Sequence, residues 1–173
     1  MSNDNCQCLL EPVEGIGIAD SFPALQPIDN IFSQVSIPEI VEIPEQKPDM
    51  EQLVSILETV DILSTKIVDT GIGTSEEGQI LTGKKLIVEV LLKQKITYVA
   101  DEPTQSVHAA HFEKPASVFV VVPEDIGGVP IEELFMQDKI VIKPYVEDIC
   151  GIMLDNRRVF KCTALFLNVQ QCA

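Results

Sequence analysis

Between Lys84 and Val99 the side chains alternate in character. Glu89, Leu91, Lys93, Lys95 and Thr97 take one parity, and Val88, Val90, Leu92, Ile96 and Tyr98 take the other. A period of two puts charges on one face and apolar groups on the opposite face, as in a strand half buried in an antiparallel sheet. The chain is thereby committed to a sheet with a core on one side. Aromatic residues make up only 5% of the chain and tryptophan is absent. That core is therefore aliphatic, built from Val, Ile and Leu, which suit a pleated surface.

Phe112 to Val122 and Lys139 to Val146 carry a similar signal, and Ile149 to Leu154 turns at Asp155-Asn156-Arg157 to return as Val159 to Val169. On this return strand Val159, Thr163, Leu165, Leu167 and Val169 oppose Phe160, Cys162, Ala164, Phe166 and Asn168. Both parities are largely apolar, which predicts cover on both faces. Leu53 to Val68 fits two patterns. Leu53, Ile56, Leu57 and Val60 would line a helix face, with Asp49 as N-cap. The β-branched Val54, Ile56, Val60, Ile62, Ile67 and Val68 favour a strand, and a strand is predicted. Gly71 to Gly78 lacks the Lys-Ser/Thr of a P-loop and the third glycine of a dinucleotide fingerprint, so a hairpin turn is expected. Pro130 to Phe135 adds one helical turn with proline near its start. Turns recurring roughly every 8 to 15 residues point to an all-β, antiparallel β-sandwich.

Residues 1–38 differ. Pro12, Pro23, Pro27 and Pro38, with Gly15 and Gly17, punctuate the segment, yet Ile16, Ile18, Phe22, Leu25, Ile28, Ile31, Phe32 and Val35 make it too apolar for a disordered tail. An extended N-terminal arm is expected, docked on its own domain or on a neighbour, followed by a β domain over 39–173. From Ile40 the pattern is strand-like, and Pro44, Pro48 and the charges between them mark a kinked, extended linker.

Twelve Lys and Arg against 27 Asp and Glu leave a net charge of −15. Such a chain lacks the clustered positive charge that nucleic acid binding needs, and an anionic membrane would repel it. Copies of it also repel one another, so any self-association must be driven by apolar burial or covalent links. The N-terminal sequence is polar, without a basic residue, and no apolar run is long enough to span a bilayer. Synthesis in a cytoplasm without a signal peptide is expected.

Five cysteines, Cys6, Cys8, Cys150, Cys162 and Cys172, cannot all pair within one chain. Cys6 and Cys8 lie in the polar tail and Cys172 near the other end, where thiols can reach a second molecule; these three are the candidate intermolecular cross-links. Cys150 and Cys162 are the less certain thiols. The bland alternative is that all five stay reduced. Cys6-x-Cys8 is too tight for the usual zinc spacing and no second pair follows.

His108-Ala109-Ala110-His111 would suit a metal on a helix, but on a strand the two imidazoles face opposite sides, and no further ligand is obviously placed. Ser106 lies close to His108 without a nucleophile elbow. The acidic pairs Glu76/Glu77, Glu124/Asp125 and Glu132/Glu133 fall in polar loops. No catalytic residue, cofactor or metal is predicted.

Three stretches together carry a family resemblance: Glu42-Ile43-Pro44-Glu45-Gln46-Lys47-Pro48-Asp49; Gly78 to Glu89 leading into Gln94-Lys95-Ile96-Thr97-Tyr98-Val99-Ala100-Asp101-Glu102-Pro103; and Gln105-Ser106-Val107-His108-Ala109-Ala110-His111-Phe112. Over roughly residues 38–170 the chain resembles the SPOCS domain family of spore-envelope proteins in endospore-forming Firmicutes. The resemblance implies a β-rich domain for protein–protein contact in spore morphogenesis, without catalytic residues. Unlike relatives with several copies or a LysM module, this chain has one copy, an apolar arm and terminal cysteines. The expectation is a structural protein that assembles with itself, and with other spore-envelope proteins, at the spore surface or as an extracellular filament. The alternative is a monomeric adaptor in coat morphogenesis.

Overall fold

The computed structural model describes residues 13–25 and 30–172; Cys6 and Cys8 lie outside the described residues. Among the described residues, nine strands and one short helix follow in the order β1 (Val13–Ile16), β2 (Ile31–Glu42), β3 (Met50–Thr74), β4 (Ile80–Ala100), β5 (Val107–Val122), β6 (Asp125–Ile126), β7 (Val129–Pro130), α1 (Ile131–Met136), β8 (Ile140–Met153) and β9 (Arg158–Gln171). The all-β expectation holds, and so does the single helical turn after Pro130.

The main ladder runs β2-β9-β8-β1-β3-β4-β5. It folds over at β1, so that β2, β9 and β8 face β3, β4 and β5 across an aliphatic core. Pairing is antiparallel except at one place: β1 runs parallel to β3, with Gly15 opposite Ile56 and Ile16 opposite Leu57, while its other edge pairs antiparallel with β8. A residue wedged between two larger strands must be small. A Cβ on Gly15 would overlap Ile149, and one on Gly17, where φ is +106°, would overlap the carbonyl of Glu58. The segment expected as an arm thus enters the sheet. The division at residue 38 falls inside β2, which pairs with β9 continuously from Ile31 opposite Val169 to Glu42 opposite Arg158.

The alternation in β4 decides the core. Val88, Val90, Leu92, Ile96 and Tyr98 are all fully buried. They meet Ile37 and Val41 of β2, Val120 and Val122 of β5, and Val159, Leu165 and Leu167 of β9 in one cluster. Helix α1 closes one end by sinking Ile131 and Leu134 into the interior. Lys84 holds it there, bridging Asp69 at 2.5 Å and Glu132 in the first turn of the helix. The outer face of β9 is covered in its second half, where Phe166 packs against Phe22, Phe32 and Tyr145, with Phe22 supplied by the segment that follows β1; Phe160, Cys162 and Ala164 on the same face stay half-buried.

Candidate functional site

All three family-resembling stretches contribute to one end of the sandwich, where the β2–β3, β4–β5 and β8–β9 connections meet. Arg157, in the β8–β9 turn, organises them. Its guanidinium donates to Asp49 Oδ1 (2.7 Å) and to the carbonyls of Lys47 and Ile43 (2.8 Å each), while Asn156 donates to Asp49 Oδ2 (2.7 Å). The planar fork of Arg suits several acceptors at once. Asp155 starts this turn by accepting from the backbone N–H groups of Arg157 and Arg158 and from the Arg158 side chain, which holds its carboxyl below the usual range. Tyr98 is fully buried and donates through its hydroxyl to the Pro48 carbonyl (3.1 Å); burial raises its pKa.

On the same end, Ser106, His108 and Glu102 come together. Ser106 Oγ donates to Glu102 Oε1 and lies 2.8 Å from His108 Nε2, whose ring stacks on Tyr98. Because the serine proton goes to the carboxylate, Nε2 must donate to Oγ. That is the reverse of a catalytic triad, in which the imidazole takes the serine proton. The cluster instead fastens the β4–β5 hairpin. Ser106, then Thr104 and His108, hold the Glu102 carboxyl below its ordinary pKa. His108 and His111 fall on opposite faces of β5, and among the described residues no group of three or more His, Cys, Asp or Glu could hold a metal ion.

The predicted cross-linking thiols are spread out. Cys172 is exposed, just beyond β9 at the end opposite the Arg157 network. Cys150 and Cys162 stand directly opposite each other on β8 and β9, half buried on the outward face; no disulfide joins the described cysteines.

Two features escape a reading of sequence pattern. The first is a polar ring inside the core. Glu39 pairs with Lys161 across β2 and β9, and Glu58 pairs with Gln94 across β3 and β4. The two sheets then join through Lys161 Nζ to Glu58 Oε2 (2.5 Å) and Gln94 Nε2 to Glu39 Oε2 (2.7 Å). Lys161 and Glu58 are wholly buried. The second is an exposed hairpin. Among the described residues no strand pairs with the outer edge of β3 beyond Leu57, and Leu63, Ile72 and Ile80 are 56%, 82% and 64% exposed.

Fold and site together define an all-β domain whose organised polar clusters fasten loops and sheets. The model of the family described as SipL, SPOCS domain matches residues 49–150, more than half of the chain, and the chain belongs to that family. The SPOCS domain marks it as a spore-associated protein. No curated protein and no solved structure matches. Among the described residues no helix is long and apolar enough to cross a membrane.

Proposed function

We propose that the protein is a non-enzymatic structural subunit that associates with copies of itself to build a spore envelope layer, spore appendage or extracellular filament. The observation that carries this reading is the edge of β3 from about Val60 to Thr74, which no strand among the described residues covers, with exposed Leu63 and Ile72 beside it. An uncovered edge presents unpaired N–H and C=O groups and is a template for a strand of another chain. Strand addition gives directional growth, and burial of the aliphatic groups opposes the repulsion of a chain with net charge −15.

Cys6, Cys8 and Cys172 then lock neighbours once dioxygen or a small-molecule disulfide oxidises them, as happens after the mother cell lyses. The exposure of Cys172 supports its part in this step. The β domain, with β1 and β2 built into its sheet, forms the body of the subunit. The test is electron microscopy of the purified protein beside electrophoresis with and without reductant. Polymers, with a multimer ladder that reductant collapses, are expected. A uniform monomer under both conditions would favour the monomeric adaptor.

A further inference from the structure

The polar ring between the two sheets holds a buried nucleophile, the Lys161 amino group. Lys161 Nζ has no exposure to solvent, lies 2.5 Å from Glu58 Oε2 and donates to Thr163 Oγ1 at 2.8 Å. Glu39 Oε2 stands 3.9 Å from the same nitrogen, on its β2 side. The second oxygen of Glu58, Oε1, is buried and has no hydrogen-bond partner among the described residues. A buried ion pair is retained at a high desolvation cost unless its remaining lone pairs are satisfied, and here one is not.

We propose that Lys161 and Glu58 condense into a side-chain amide that welds β9 to β3 and so ties the two sheets together covalently. The reaction needs no oxidant or cofactor. Proton transfer along the Lys161–Glu58 hydrogen bond gives an amine and a carboxylic acid. Nζ attacks Glu58 Cδ and forms the Nζ–Cδ bond. A second amine proton passes to Glu39 and from it to the departing hydroxyl, the Cδ–Oε2 bond breaks, and one water leaves. Two buried charges become none. The new N–H keeps Thr163 Oγ1 as its acceptor, and Oε1 becomes an amide carbonyl.

Proximity speeds the reaction. Groups held together in a suitable orientation react with effective molarities of about 10⁵–10⁸ M, which lowers the barrier to condensation, and the 2.5 Å Lys161–Glu58 contact holds these two together. The neighbouring side chains keep bulk water away: Ile37, Ile56, Leu92 and Ile96 are buried in the same core. Glu39 is the general acid–base group, and its orientation is fixed by Gln94.

The Lys161–Glu58 bond is independent of self-assembly, because it changes the mass of a single chain. Intact mass spectrometry of the reduced, folded full-length protein should give the sequence mass less one water. Digestion should yield one branched peptide carrying both Lys161 and Glu58. Lys161→Met and Glu58→Ala should each restore the full mass, and Glu39→Gln should slow the loss of water after refolding. Full mass in the folded wild-type protein, or a water loss mapped to other residues, overturns the proposal even if no variant folds. An unchanged rate in Glu39→Gln overturns the role of Glu39.

Discussion

Arg157 and Asp49 are 108 residues apart in sequence and 2.7 Å apart in space, with the guanidinium also capping the carbonyls of Lys47 and Ile43. One side chain thus fastens the β8–β9 turn to the β2–β3 connection. Arg157→Ala removes all three donors and leaves the partly shielded acceptors to water. The expected loss is about 1–2 kcal/mol, below the full value for hydrogen bonds to charged groups because the pair is partly exposed. Arg157→Lys should recover little of it, since one ammonium cannot reproduce the fork. Urea unfolding midpoints of the two variants check this; equal stability of wild type and Arg157→Lys would show that only charge matters.

The acid side of the stability profile should be set in part by Glu102, Glu132 and Asp155. All three carboxyls sit below their ordinary pKa values, 4.5 for the glutamates and 3.8 for the aspartate, through Ser106, Lys84 and the Arg157 backbone N–H respectively. A depressed folded pKa gives stability that is complete above the unfolded value and is lost as pH falls through the folded one. Unfolding midpoints should therefore decline as pH drops below 4.5. Lys84 is shifted the other way, upward, by Asp69 and Glu132, so its contribution persists through neutral pH and fades only above 10.5. Ser106→Ala should lower stability most near neutral pH, and its deficit should shrink in acid. A pH-independent deficit would remove Glu102 from the explanation.

How much of this was legible beforehand depends on the strand. In β4, alternation named Val88, Val90, Leu92, Ile96 and Tyr98, and all five are buried; it passed over Gln94, buried on the same face. In β3, Met50, Leu53 and Ile56 recur every three residues and mimic a helix face. They are all buried because the β3–β4 register slips between Met50 and Gln52 and again between Leu53 and Ser55. Each bulge inserts one residue and restores the inward parity, and periodicity alone cannot tell that from a helix. Lys161 sits on the inward parity of β9 between Val159 and Thr163, where a charge is unexpected without knowledge of Glu58 across the core. The parallel insertion of β1 likewise depends on partners remote in sequence. The Ser106–His108–Glu102 cluster needed the hairpin geometry.

Gly151 faces Ile56 across the core, and a Cβ there would overlap Ile56 Cδ1. Gly151→Ala should cost about 1–3 kcal/mol through overpacking. Ile56→Val removes the clashing methyl and on its own should cost about 0.5–1.5 kcal/mol. Together they should cost less than the sum, since the second change relieves the first. Additive losses in a double-mutant cycle would mean that the strain lies in the β8 backbone rather than in this contact.

Among the described residues no strand covers the edge of β3 beyond Leu57. Lysine on an edge strand discourages addition of another chain, because a charge must be buried when the strand is covered. Leu63 and Ile72 are exposed in the single subunit, so replacing them leaves the core intact. Leu63→Lys with Ile72→Lys should therefore keep the urea midpoint within about 0.5 kcal/mol of wild type. The same double variant should lose polymer in sedimentation and electron microscopy. The substitutions also reduce the net negative charge, so mere relief of repulsion would promote association rather than abolish it. Loss of polymer from a less charged, equally stable subunit would thus place the contact at the β3 edge, while undiminished polymer would move it elsewhere.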